Sequence, residues 1–266
     1  MKYILSIAGS DCSGGAGIQA DLKSIAAHGC YGATVITSVV AENTCGVSSV
    51  FNIPAEEVGK QIDSVFEDIP INAVKLGMLC SSEIVKIVSE KLRKYRPQFI
   101  VCDPVMVATS GDTLSEDNML SAMREKIFPI STIITPNIPE AEAISGMKIN
   151  SVDDMKSAAA KIAELGAKNV LIKGGHLTGD AVDILYNGQN FSEISCPRVN
   201  SQNTHGTGCT LSSAIAAELA LGYSAEEAVK RAKNYITEAI RHSYTVGKGH
   251  SPVNHFYEFF DGKEKL

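Results

Sequence analysis

Short β-branched runs alternate with amphipathic stretches along nearly the whole chain, and that alternation leaves few folds open. Strand-like runs are read at residues 3–8, 33–41, 73–76, 99–103, 132–135 and 169–173. Helical periodicity fills the intervals at 17–28, 55–66, 82–95, 116–127 and 152–165. Ser151 with Asp154, and Ser224 with Glu227, place a side-chain oxygen and an acidic residue three positions apart, which is how a helix start is written. Residues 183–187 and 191–196, joined through Asn187-Gly188, read as an antiparallel hairpin. Successive strand–helix–strand units pack as parallel pairs with helices on both faces. The expected fold is therefore α/β: one domain over residues 1–266, a three-layer α/β/α sandwich around a mostly parallel central sheet.

Composition narrows the partners. At 266 residues the chain is long enough for one substantial core. A formal charge of -6 argues against nucleic acid, which needs clustered Lys and Arg. It leaves room for a locally positive cleft that takes a small anion. Seven cysteines with no C-x-x-C pair suit free thiols in a reducing cytoplasm rather than a zinc site. The apolar run at 3–8 is too short for a signal peptide, and Glu218 interrupts the small-residue run at 207–221, so no membrane segment is expected.

In open α/β sheets ligands bind beyond the carboxyl ends of the strands. Unusual residues collect at those ends here: Gly9-Ser10-Asp11, Glu42-Asn43-Thr44, Gly77-Met78, Asp103-Pro104, Pro136-Asn137 and Gly174-Gly175. The run His205-Gly206-Thr207-Gly208-Cys209 precedes a helix-compatible stretch. Two glycines allow a tight turn and close approach to a ligand, and helix-start amides carry partial positive charge. That arrangement makes an anion hole, or equally a plain capping turn with Cys209 as a small core residue. A thiol at a helix start tends towards a lowered pKa, which would let Cys209 take a proton from a hydroxyl. Asn137-Ile138-Pro139-Glu140 offers an amide and a carboxylate for metal or phosphate, or simply a helix start. The stretch 9–17 reads as a flexible glycine loop, open to closing over a ligand, and Asp21 lies one turn beyond it. Lys173 is a candidate phosphate contact, Asp103 a candidate magnesium ligand, and His176 reads as a surface loop residue. Neither G-x-x-x-x-G-K-[ST] nor G-x-G-x-x-G occurs, which removes the P-loop and dinucleotide readings.

Taken together, the segments IAGSDCSGGAGIQAD (7–21), KLGML (75–79), DPVM (103–106), TPNIPEAE (135–142), IKGGH (172–176), NTHGTGCTL (203–211) and GKGHSPVNHF (247–256) resemble the hydroxymethylpyrimidine/phosphomethylpyrimidine kinases of thiamine biosynthesis, within the ribokinase-like superfamily. The pyridoxine kinases of the same branch are the nearest alternative. The resemblance implies ATP- and Mg2+-dependent phosphorylation of 4-amino-5-hydroxymethyl-2-methylpyrimidine and then of its monophosphate, by a homodimer. It implies Cys209 as general base and Gly206, Thr207, Gly208 and Cys209 as the anion hole. Asp103 and Glu140 would support magnesium, Asn137 and Lys173 would serve ATP, and Gly9, Asp21, Glu42 and Met78 would form the pyrimidine pocket. Glu42 stands where the family commonly carries Gln. Gln offers a donor and an acceptor to an aminopyrimidine edge, whereas an ionised Glu offers acceptors only.

Overall fold

The computed structural model describes residues 1–106, 118–175 and 181–260. His176 lies outside them. The strands are β1 (Tyr3–Asp11), β2 (Tyr31–Asn43), β3 (Gly46–Asn52), β4 (Ala73–Leu76), β5 (Phe99–Cys102), β6 (Ile133–Ile134), β7 (Val170–Ile172), β8 (Ala181–Tyr186) and β9 (Phe191–Cys196). They form one sheet in the order β3-β2-β1-β4-β5-β6-β7-β8-β9. The run from β2 to β7 is parallel throughout, while β3, β8 and β9 join antiparallel at the two edges.

The period-2 alternation of each strand divides the core between two faces. Leu5, Ile7, Val74, Leu76, Ile100, Cys102, Ile134, Val170 and Ile172 belong to one buried cluster. Ile4, Ala73, Val101, Ile133 and Leu171, one residue out of phase, belong to the other. Helices α2 (Ala55–Asp68), α3 (Ser82–Tyr95), α4 (Met119–Lys126), α5 (Ile138–Ser145) and α6 (Val152–Ala163) cover the first face. Helices α1 (Gly17–Ala27), α7 (Thr207–Leu221) and α8 (Ala225–Arg241) cover the second, and α9 (Tyr257–Phe260) follows near the C-terminus. This is the expected three-layer sandwich. No helix among the described residues is long and apolar enough to cross a membrane.

Local chemistry explains several boundaries. Ser151 Oγ accepts from the Asp154 amide at 3.1 Å, and Ser224 and Glu227 form a reciprocal capping box. Helix α7 shows no polar stripe because it is buried all round: every residue from Thr210 to Ala220 is shielded between the sheet, α1 and α8. Small side chains are what allow that close packing. Glu218 on α7 survives burial through the Arg231 guanidinium at 2.7 Å.

Strand β3 differs from the expectation, which placed no strand there. Its residues are mostly exposed, so it carries no inside/outside alternation to read. It exists because the chain reverses after Asn43 and pairs back along β2, with Asn43 opposite Gly46.

Candidate active site

The carboxyl ends of β1, β2, β4, β5 and β7 and the start of α7 surround one cavity of about 750 Å³. Gly9, Asp11, Glu42 and Met78 lie along its wall, as do Asp103, Asn137, Glu140, Lys173 and the run Thr204–Cys209. Each strand end thus contributes at least one residue to the cavity, whereas Asp21 on α1 does not line it.

Gly206 starts α7 with φ +75, a conformation that favours glycine, and a Cβ there would collide with the Gly15 carbonyl oxygen. Glycine at this position also brings no side chain to cap the helix. The amides of Gly208 and Cys209 therefore have no intrahelical acceptor, and both residues line the cavity. Thr207 itself donates to the Thr204 carbonyl at 3.3 Å. Gly208 is constrained less tightly: a Cβ there would sit 3.2 Å from Asp103 Oδ2 and 3.4 Å from Lys173 Nζ. The absence of a side chain lets the turn rest against that ion pair.

Asp103 and Lys173 are joined at 2.8 Å, and Thr135 Oγ1 donates to the same carboxylate oxygen at 3.0 Å. Burial works against the Lys173 ammonium, but the Asp103 and Glu140 carboxylates outweigh it and raise its pKa. Glu140 is pushed up to about 7, chiefly by burial, with Asp103 adding to the rise and Lys173 opposing it. Asn137 and Glu140 prove to be a capping box: Asn137 Oδ1 accepts from the Glu140 amide at 2.9 Å, and Glu140 Oε2 accepts from the Asn137 amide at 2.7 Å. The helix-start reading of this motif is therefore correct as structure, while both side chains still reach the cavity wall.

The loop between β1 and α1, expected to be flexible, has a buried anchor. Asp11 accepts from the amides of Ser13 at 2.7 Å, Gly15 at 2.9 Å and Ala16 at 2.7 Å. His205 Nε2 lies 3.0 Å from the same carboxylate. Burial alone would raise the Asp11 pKa, but these partners together hold it far below the usual carboxylate range. His205 is raised for the reciprocal reason: burial disfavours its charge, yet the Asp11 hydrogen bond and the Asp11 and Glu42 charges prevail. Asp11, Glu42 and His205 hold ligand-type atoms within 4.8 Å of one another. Glu42 is pushed up to about 7, by burial first and by the neighbouring Asp11 carboxylate second. It can therefore carry a proton near neutrality and present an O–H donor as a Gln amide would. The sequence marked Asp11 as part of the Gly9-Ser10-Asp11 strand end but gave it no role of its own, because its partner His205 lies 194 residues away.

Two expectations are corrected. Asp21, expected in the pyrimidine pocket, does not line the cavity: it is fully buried, 2.8 Å from Lys75 Nζ through both oxygens. The Cys209 thiol is not lowered but pushed up to about 11, because burial outweighs the favourable Lys75 charge and the Gly17 amide. A Cβ at Gly9 would fall 2.6 Å from Met78 Cε and 2.7 Å from Ser38 Oγ, so both side chains would have to shift.

A mostly parallel sheet with an anion-receptive helix start and an acid–lysine pair at its strand ends defines the ribokinase-like class. Comparison with known proteins narrows this further. The chain belongs to the phosphomethylpyrimidine kinase family, whose model matches residues 11–254. It is 49% identical over 263 residues to the thiamine biosynthesis bifunctional protein ThiED of Geobacter sulfurreducens, covering 98% of this chain and 54% of that protein. The chain spans about half the length of that relative and of two chloroplastic bifunctional enzymes. It spans 94% of a hydroxymethylpyrimidine/phosphomethylpyrimidine kinase of Bacillus subtilis, at 43% identity over 95% of this chain. Among solved structures, a phosphomethylpyrimidine kinase of Clostridium difficile superposes with a TM-score of 0.81 at 50% identity, covering 90% of this chain and 100% of that one. An ADP complex of B. subtilis pyridoxal kinase superposes with a TM-score of 0.89 at 38% identity, covering 96% and 97%.

Proposed function

We propose that this chain phosphorylates 4-amino-5-hydroxymethyl-2-methylpyrimidine, and then its monophosphate, with ATP as donor. The observation that carries the reading is the uncapped start of α7, with Cys209 in its first turn, set against the Asp103–Lys173 pair in one cavity. The amides of the Gly206–Cys209 turn meet charge developing on the transferring phosphoryl oxygens. Cys209 accepts the proton of the attacking hydroxyl. Burial pushes the resting thiol up, so taking the proton calls for added positive charge beside the sulfur. Lys173 and Asn137 serve the nucleotide phosphates. Gly9, Glu42 and Met78 flank the pyrimidine, with Glu42 bonding the aminopyrimidine edge through its proton. Asp21 acts from below, through Lys75, rather than as a contact.

Two carboxylates with spare oxygens, Asp103 and Glu140, fit magnesium, which keeps several waters and phosphate oxygens in its shell. When bound, the ion neutralises phosphate charge. The exposed apolar residues Val39, Val50 and Phe51 along β2 and β3 support pairing with a second copy of the chain. Free thiols throughout support a reducing cytoplasm as its location.

The structural likeness to pyridoxal kinases keeps vitamin B6 vitamers as the second substrate class. An ATP-consumption assay with the hydroxymethylpyrimidine, its monophosphate and pyridoxal separates the two. The pyrimidines are expected to give the higher kcat/KM, and Cys209→Ala to lower turnover at least ~100-fold. Faster turnover of pyridoxal would reverse the substrate assignment, and near-wild-type turnover of Cys209→Ala would remove its role as base.

A further inference from the structure

The proposed mechanism leaves one buried ionic group unused. Lys75 and Asp21 are both fully buried on the sheet face covered by α1 and α7. Lys75 lies between Val74 and Leu76 on β4, so it points to the opposite face from those two. Ser6 is its register partner on β1 and donates to Asp21 Oδ2 at 2.5 Å. Ser213 on α7 donates to Asp21 Oδ1 at 2.8 Å. Four elements therefore meet at one carboxylate: β1, β4, α1 and α7.

The spacing on both helices places this knot directly beneath the thiol. Gly17 and Asp21 are four residues apart on α1, and Cys209 and Ser213 are four apart on α7. Residues at that spacing share a helix face. The Gly17 amide acts on the Cys209 sulfur to favour its thiolate, and one turn further on Asp21 accepts from Ser213. These are successive rungs between the same two helices, so the ion pair lies about one helical pitch (~5 Å) from the sulfur. Gly77 leaves room for the ammonium, since a Cβ there would lie 2.8 Å from Lys75 Nζ.

We infer that the Lys75–Asp21 pair is a positioning element that sets how readily Cys209 ionises, Lys75 favouring the thiolate and Asp21 moderating it. The proposal rests on Cys209 being the base. The charged groups acting on the sulfur are Lys75 from β4, Asp21 from α1, Asp103 from the end of β5 and Lys173 from the end of β7, the last two paired with each other. Water is excluded from the pair, so its field is little screened by salt. A plain hydrophobic filler at these positions would have packed as well without fixing a charge under the active-site turn.

The test reads the thiol itself. Alkylation of Cys209 by iodoacetamide is followed from pH 7 to 10 by peptide mass spectrometry, which separates it from the exposed Cys12 and Cys45. Asp21→Asn keeps the shape and leaves the Lys75 charge unopposed. The Cys209 pKa should fall by about one unit, with about tenfold faster alkylation at pH 8. Lys75→Met should act the opposite way, with about tenfold slower alkylation. A pair with only a packing role would loosen α7 and speed both variants, or change neither, and either result overturns the inference. Should Lys75→Met fail to fold, Asp21→Asn decides alone, since an unchanged or raised pKa refutes the idea. The pH profile of kcat is measured in parallel. Opposite thiol shifts with an unmoved profile uphold the pair's control of ionisation and reject Cys209 as base, so the two ideas fail separately.

Discussion

Replacing Glu42 by Gln should change how folding stability responds to pH. In the folded chain Glu42 keeps its proton up to about pH 7, whereas the unfolded value is 4.5. The folded state therefore binds more protons than the unfolded state within that window. Stability contributed by the protonated group is full below about pH 4.5, declines as pH rises towards 7, and is lost above it. At ~1.4 kcal/mol per unit, a fully enclosed group would lose about 3 kcal/mol across the window. Glu42 is only partly buried, so solvent screening reduces this to about 1–2 kcal/mol. Gln supplies the N–H that the protonated acid supplies as O–H and cannot ionise. Urea denaturation at half-unit intervals from pH 5 to 8 provides the measurement. Wild type and Glu42→Gln should agree near pH 5, and the variant should be more stable by about 1–2 kcal/mol at pH 8. His205 also loses charge as pH rises and is held up partly by the Glu42 charge, so the difference between the curves reports the ionisation of Glu42 together with its effect on His205. Parallel curves over the whole range would show that Glu42 ionises normally beside Asp11 and would refute the reasoning.

Two further outcomes follow from the turns. Gly206→Ala forces a side chain into the Gly15 carbonyl at φ +75, so it should lower stability by roughly 2 kcal/mol or more and abolish ATP turnover; thermal melting and the ATP assay check both. Asn137→Ala removes one arm of the α5 capping box and should cost about 1 kcal/mol in urea denaturation, while Asn137→Asp, which keeps the acceptor, should stay within a few tenths of wild type.

The order of strands and helices was legible because each is written locally. Helix α3 spans Ser82–Tyr95 and strand β4 spans Ala73–Leu76, the same residues that periodicity marks. The caps at Ser151 and Ser224 form as their spacing requires. Strand β3 was not legible, because an exposed edge strand is made by its neighbour and not by its own pattern.

For the site, sequence determined which residues stand at the strand ends, because a chain leaving a strand at Asp103 or Lys173 has nowhere else to place them. It also determined that Gly206 must be glycine, since a tight turn into a helix admits little else. Only the tertiary structure decided their charge states. The environment of Asp21 comes from Lys75, 54 residues away, and Ser213, 192 away; that of Asp11 comes from His205, 194 away. Desolvation and Coulomb interaction depend on distance through space, and no local pattern records it. For that reason Cys209, legible as a thiol at a helix start, could not be known to sit with its proton firmly held above a buried lysine.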